Sequence, residues 1–264
     1  MKIYPRKRFG QHWLRDDNVL NQIVGAACLS VTDHVLEIGP GTGNLTAKML
    51  PIVGNLTAVE LDRDLCQFLR QRFADSSLQL WEGDVLSYVI PETINKVVAN
   101  IPYNITGEIL QLLLGTISRP ARRFTTIVLL VQREIAQRLT TVPGKSAYGA
   151  LSVRCQYLAD CELITEVSPQ SFSPPPKVHS AVVRLTPRPP QFQPQNPQWL
   201  DRLVRLGFAQ KRKMLRNNLQ SLVPREHLVQ VLEQIGIPQE ARAENLSLRQ
   251  WVQLADQTIG LALS

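Results

Sequence analysis

An apolar run, Val35-Leu-Glu-Ile38, passes straight into Gly39-Pro-Gly-Thr-Gly43 and then Asn44. Glycines at alternate positions let backbone approach a ligand closely and take positive φ, where a Cβ clashes. The spacing is not that of a dinucleotide fingerprint, whose third glycine falls at position 44, here Asn. Glu60 follows Gly39 by 21 residues and closes the next apolar run. A carboxylate there accepts both hydroxyls of a ribose, which points to a nucleoside-containing cofactor. The run after that ends in Glu82-Gly-Asp84, where Asp84 is placed to accept from an exocyclic adenine amine. The plainer alternatives are a solvated strand end for Glu60 and a turn residue for Asp84.

Asn100-Ile-Pro-Tyr103 narrows the chemistry. An adenine amine is a poor nucleophile because its lone pair is delocalised into the ring. Catalysis must therefore favour the pyramidal amine that forms as attack begins. The Asn100 side-chain oxygen and the Ile101 carbonyl offer two acceptors for its hydrogens. Proline fixes the loop so that they converge, and Tyr103 offers a ring for stacking on an extruded base. The alternative is a mere strand-to-helix turn.

These residues need a scaffold that brings strand ends together. Val35–Ile38, Leu56–Leu61, Leu78–Trp81, Lys96–Ala99 and Thr125–Val131 read as buried strands, and helical periods occupy about 17–28, 44–51, 62–74, 106–115 and 132–140. Regular alternation predicts an α/β fold, a mostly parallel sheet with helices on both faces. Beyond about residue 150, Glu162–Val167 and Val178–Leu185 read as two closing strands joined across Ser173-Pro-Pro-Pro176. Thr186 to Pro197 holds five prolines in twelve residues, a stiff extended linker, and everything after Gln198 is helical in period. The expected domains are 1–186, a 187–197 linker, and a small helical domain at 198–264.

The chain of 264 residues carries 29 Lys plus Arg against 22 Asp plus Glu, a net charge of +7, with a pI near 9.5. The basic residues cluster: Lys2, Arg6, Lys7 and Arg8 precede any acid, Arg119, Arg122 and Arg123 share a loop, and Arg205, Lys211, Arg212, Lys213 and Arg216 run without a carboxylate. Such patches suit phosphates, or are simply solvated surface. Cys28, Cys66, Cys155 and Cys161 have neither zinc nor disulfide spacing and read as buried thiols. Four scattered histidines and a Gly144-Lys-Ser146 triplet with Leu139 where a P-loop needs glycine lend no support to hydrolytic or phosphoryl-transfer chemistry. No window approaches the roughly 20 apolar residues of a membrane span, and the first residues lack a secretory apolar region. A cytoplasmic protein is expected, stromal if organellar, and a monomer, since no long heptad seam is present.

With these motifs in hand, the sequence resembles the class I S-adenosylmethionine-dependent methyltransferases, and within them the KsgA-type small-subunit (16S) rRNA adenine dimethyltransferases. The resemblance rests on Arg8-Phe-Gly-Gln-His-Trp-Leu14, Asn100–Thr106, Val131–Ala136, Tyr148-Gly-Ala-Leu-Ser152, Phe172–Val178 and Lys211–Leu219, and covers nearly the whole chain. It implies a Rossmann-like methyltransferase domain with a small C-terminal helical domain. The implied reaction moves two methyl groups to the N6 amine of each of two adjacent adenosines near the 3′ end of small-subunit rRNA, within an immature 30S-type subunit. It further implies that His12 and Leu14 close over the cofactor, that Gly39 and Gly41 approach it, and that Glu60 takes the ribose and Asp84 the cofactor adenine. Asn100 serves cofactor and target amine, Tyr103 and Phe172 sandwich the target base, and no metal takes part. Arg6, Lys7, Arg8, Arg122, Arg123, Lys211, Arg212 and Lys213 are the expected RNA contacts. One departure is plain: His12-Trp13 stands where the family usually has Asn-Phe, and an imidazole can still donate to a carboxylate.

Two other readings share these features. A large-subunit rRNA adenine methyltransferase of the macrolide-resistance type has the same catalytic motifs, and the Gln132–Ala136, Tyr148–Ser152 and Lys211–Leu219 blocks favour the small-subunit branch over it. A non-catalytic assembly or transcription factor would keep the fold and bind nucleic acid, but the intact glycine loop, Glu60 and Asn100–Tyr103 argue against lost catalysis.

Overall fold

Strands form where the apolar runs predict them, because Val, Ile and Leu buried on both faces suit a covered parallel sheet. The computed structural model describes residues 4–6 and 11–261. Trp13–Leu14 is a two-residue strand, β1, followed by helix α1 at Asp17–Ala27. The alternation then runs β2 (His34–Ile38), α2 (Asn44–Met49), β3 (Asn55–Glu60), α3 (Arg63–Arg72), β4 (Leu78–Glu82), β5 (Lys96–Asn100), α4 (Thr106–Leu114), β6 (Thr126–Gln132) and α5 (Arg133–Thr140). Helix α6 (Ala150–Leu158) leads into β7 (Ala159–Val167), and after β8 (Phe172–Ser173) comes β9 (Ser180–Pro187).

Among the described residues, seven strands make one sheet in the order β4-β3-β2-β5-β6-β9-β7. The pairs from β4 through β6 are parallel, and β9 runs antiparallel to β6, with Leu129 opposite Val183. Val97, Val98 and Ala99 of β5 and Ile127 to Val131 of β6 are fully buried, whereas edge strand β4 alternates between half-buried and exposed residues. The expected closing strands are both in the sheet, and β9 inserts between β6 and β7. Strand β2 leads outward to β3 on one side and pairs with β5 on the other. Its carboxyl end is therefore a topological switch point, where the flanking loops part and leave a crevice.

Side-chain caps set the helix starts. Asp16 accepts from the Asn18 amide at 3.0 Å to open α1, and Asp62 from the Asp64 amide at 3.1 Å to open α3. Two of the four cysteines depart from the expected burial. Cys28 is exposed because it caps the C-terminus of α1 in the left-handed conformation, φ 47°, and Cys161 is half-buried on β7, while Cys66 and Cys155 are buried.

The chain forms two compact units. The first takes residues through Leu113, Ala121–Ala136 and Asp160–Pro187, and holds the sheet. The second takes Leu114–Pro120, Gln137–Ala159 and the chain from Arg188 on. After irregular chain at 188–196, it continues with α7 (Pro197–Gly207), α8 (Leu215–Leu219), α9 (Arg225–Gln234) and α10 (Leu248–Thr258). Asn196 caps α7 ahead of Pro197, whose missing N–H costs nothing in the first turn. Trp251 is fully buried against Phe208, with ring centroids 5.7 Å apart, and the Trp199 indole donates to Thr258 Oγ1 at 2.9 Å. No helix among the described residues is long and apolar enough to cross a membrane.

Candidate functional site

The loop after β2 turns through Gly39, Gly41 and Gly43, all at positive φ of 65°, 58° and 78°. At Gly41 space is also at issue, since a Cβ there comes within 2.9 Å of Trp13 Cδ1. The Gly41 amide donates to Glu60 Oε2 at 3.1 Å and the Asp62 amide to Glu60 Oε1 at 2.9 Å. Glu60 is only 7% exposed, and burial raises its pKa. The Leu61 amide also points at this carboxylate, which with about four acceptor sites still has room for a hydroxyl donor, the arrangement that suits a ribose.

Around this loop lies a cavity of about 370 Å³. Gly39, Gly41, Glu60, Asp84, His12 and Leu14 all line it, and so do Asn100, Ile101, Pro102 and Tyr103. Asp84 is exposed and caps a short turn by accepting from the Leu86 amide at 2.9 Å, so it is a turn residue as well as a wall. Leu61, Leu86 and Glu37 are among the wall residues that the sequence reading missed. Leu61 and Leu86, 51% and 40% exposed, form apolar walls next to Glu60 and Asp84; their signal is an apolar residue one or two positions beyond a strand-end acid. Glu37 is 1% exposed inside β2, accepts from Thr46 Oγ1 at 2.6 Å, and is pushed up to about 8 by burial. Its signal is a carboxylate between Leu36 and Ile38, just before the glycines.

Asn100 ends β5 directly opposite the glycine loop: a Cβ on Gly39 lies 3.8 Å from the Asn100 carbonyl oxygen. Asn100 Nδ2 donates to the His12 carbonyl at 3.2 Å, which leaves Oδ1 as an acceptor. Tyr103 is held by a 2.5 Å hydrogen bond between its hydroxyl and Ser180 Oγ. Its ring lies nearly parallel to the His12 imidazole, with planes 20° apart and centroids 6.5 Å apart. His12 Nδ1 donates to the Pro174 carbonyl at 2.8 Å, which holds that ring in turn.

Residues 11–14 therefore form a strap along the cavity, tied at four more points. Gln11 Nε2 donates to Asp62 at 3.0 Å, Asn44 Nδ2 to the Leu14 carbonyl at 2.9 Å, and Trp13–Leu14 pair antiparallel with Ser173–Phe172. Phe172 belongs to the core cluster with Leu14 and Leu20, is 4% exposed, and does not line the cavity. Its backbone in β8 holds the strap, and the rings brought to the cavity are those of Tyr103, His12 and Trp13, not that of Phe172.

None of the described basic residues expected to bind RNA lines this cavity. Arg6 pairs with Asp62 at 3.0 Å and with Asp64. Lys7 and Arg8 lie outside the described residues. Arg122 is exposed, while Arg123 donates to the Ile90 carbonyl at 2.9 Å and packs over Phe124, burial lowering its pKa. Lys211, Arg212 and Lys213 occupy an exposed loop of the second unit, where Lys211 donates to the Ser146 carbonyl.

A Rossmann-like sheet with an antiparallel strand inserted beside its edge, and a glycine-looped cavity at the switch point, defines a class I S-adenosylmethionine-dependent methyltransferase. Residues 4–259 match the family model of ribosomal RNA adenine dimethylases, and the chain belongs to that family. It is 53% identical over 263 residues to ribosomal RNA small subunit methyltransferase A of Rippkaea orientalis, covering 96% of this chain and 97% of that one. Among solved structures it is similar to a dimethyladenosine transferase from Plasmodium falciparum (TM-score 0.80, 29% identity, 95% of this chain and 99% of that one). It is also similar to the 23S rRNA methyltransferase ErmE (TM-score 0.75, 26% identity, 93% of this chain and 98% of that one).

Proposed function

We propose that the protein transfers methyl groups from S-adenosylmethionine to the N6 amines of two adjacent adenosines near the 3′ end of small-subunit rRNA, giving N6,N6-dimethyladenosine. The observation that carries this is Asn100-Ile-Pro-Tyr103 at the end of β5, facing the glycine loop across one cavity with Asn100 Oδ1 left to accept. The fold is shared with large-subunit enzymes, so the choice of acceptor rests on the 53% identity to a small-subunit methyltransferase. Action on an immature 30S-type subunit, as a monomer in the cytoplasm, or in the stroma if the protein is organellar, belongs to the same proposal. So does the division of labour, with 1–186 for transfer and 198–264 for recognition of folded rRNA by shape and phosphates, joined through 187–197. Arg212, Lys213 and Arg122 are the exposed cations best placed for that recognition, with Lys211 beside them held to the Ser146 carbonyl. Arg6 and Arg123 contribute less, being engaged within the protein.

The residues present fit the cofactor. Glu60, buried and anchored by backbone amides, would take the ribose hydroxyls, Leu61 and Leu86 would offer apolar walls to the adenine, and Asp84 would accept from its amine. Gly39 and Gly41 would let the methionine part approach the backbone, with His12 and Leu14 of the strap forming a wall beside it. When bound, the cofactor supplies a methyl carbon activated by a sulfonium leaving group. The chain's own task is then alignment and exclusion of water. Asn100 Oδ1 and the Ile101 carbonyl accept the two amine hydrogens, which draws the nitrogen lone pair out of the ring and makes the amine nucleophilic. Tyr103 holds the base by its face, and the proton leaves to solvent after transfer, so no strong base is needed. A direct check offers isolated small and large subunits, both lacking adenine methylation, with labelled cofactor. Label in the small-subunit rRNA supports the reading, and label only in the large-subunit rRNA overturns it.

A further inference from the structure

A second hollow of about 560 Å³ adjoins the cavity, lined by Arg15, Lys48 and Arg72 with Asp17, Thr42 and Asn44. The sequence reading singled out none of its three cations, which stand far apart along the chain. They meet because the start of α1, the body of α2 and the end of α3 border the same hollow. Among the described residues one carboxylate answers them: Lys48 lies 3.3 Å from Asp17. Arg72 donates to the Thr42 carbonyl and to Asn44 Oδ1, the latter at 3.2 Å. Arg15 is exposed, and its guanidinium has no partner among the described residues. Like charges gathered in one concave site repel one another and focus a positive potential that favours an anion.

The hollow is also coupled to the site. Thr42 and Asn44 line both, and Asn44, which accepts from Arg72, donates in turn to the Leu14 carbonyl of the strap. Resting on the reading above, we propose that this hollow holds a backbone phosphate of the RNA strand that presents its adenine to Asn100. A single-stranded adenosine reaching into the cavity brings its flanking phosphates to the rim, and an unpaired guanidinium fork beside an ammonium matches phosphate oxygens. The cofactor's carboxylate is the other anion of the reaction, and the test separates the two.

The full-length protein is compared with Arg15→Gln/Lys48→Gln, and with Arg15→Lys/Lys48→Arg, which keeps both charges. Affinity for small subunits lacking adenine dimethylation is measured between about 50 and 200 mM salt, and cofactor affinity by calorimetry without RNA. Loss of one single-strand phosphate contact lowers the slope of log affinity against log salt by about 0.7. The expected result is that drop in the neutralised variant, a several-fold weaker rRNA affinity, unchanged cofactor affinity, and recovery in the charge-keeping variant. An unchanged salt slope beside normal wild-type transfer overturns the phosphate site alone. A fall in cofactor affinity with rRNA affinity intact also overturns it, and assigns the cations to the cofactor carboxylate. Absence of wild-type transfer to small subunits overturns the underlying reading and this site with it.

Discussion

Replacing Asn100 by Ala separates two jobs that one side chain performs. Its Nδ2 ties the strap through the His12 carbonyl at 3.2 Å, a long neutral hydrogen bond worth about 1 kcal/mol net. Losing that tether alone weakens cofactor binding by about fivefold, since 1.36 kcal/mol is a factor of ten. Its Oδ1 accepts from an amine that becomes pyramidal and more acidic only as the methyl approaches, so that interaction is strongest in the transition state. Removing one such preorganised partner costs about 2.7–4 kcal/mol, or 10²–10³ in rate. Asn100→Ala is therefore expected to keep its fold, bind the cofactor within roughly fivefold of wild type by calorimetry, and lose 10²–10³ in the single-turnover rate of methyl transfer to small subunits. A rate within about fivefold of wild type, no more than the tether accounts for, would refute the amine-positioning role. A cofactor affinity that collapses while bound complexes still turn over normally would show that Asn100 acts only through the strap.

Three further outcomes follow from the geometry. Gly41→Ala places a Cβ 2.9 Å from the Trp13 ring at φ 58°, where an L-residue costs about 1–2 kcal/mol, and calorimetry should find cofactor affinity at least about tenfold weaker; near wild-type binding would mean the loop and Trp13 are free to move apart. Tyr103→Ala should lower kcat/KM for small-subunit rRNA by roughly 5- to 150-fold, the 1–3 kcal/mol of one base stack, while Tyr103→Phe loses only the Ser180 bond and stays within about fivefold; equal losses in the two would exclude stacking. Glu37, raised by burial from 4.5 to about 8, holds its proton in the folded protein after the unfolded chain has lost it, so its contribution to stability falls as pH rises from about 4.5 towards 8. Urea unfolding should accordingly show Glu37→Gln gaining on wild type across that range, and a difference independent of pH would count against a buried protonated carboxyl.

The parts of the site that lay open in the sequence are those whose backbone chemistry is local. Three glycines after an apolar strand demand the positive φ values found at 39, 41 and 43, and Glu60 and Asn100 at strand ends and Asp84 just beyond one meet because the parallel sheet aligns the carboxyl ends of its strands. What stayed hidden depends on contacts across long stretches of chain. A two-residue strand such as Trp13–Leu14 has no periodicity to detect, and its partner lies at Phe172–Ser173. That pairing is also why Phe172 sits in the core and His12 comes to face Tyr103. Arg6 reads as free positive charge in a basic run, yet Asp62 and Asp64, more than 50 positions away, take up its guanidinium. Glu37 escaped notice because strand periodicity counts it as one polar residue among apolar neighbours, and only the fold shows how completely it is buried.

The most direct test of the central claim is to incubate the purified protein with labelled S-adenosylmethionine and small subunits lacking adenine dimethylation, digest the rRNA, and place the modified nucleosides by mass. The expected result is N6,N6-dimethyladenosine at two adjacent positions near the 3′ end, with the initial rate of label incorporation in Asn100→Ala cut by about 10²–10³. Modification of a single residue, of another nucleobase or of large-subunit RNA alone, or rRNA binding without any transfer, would contradict it.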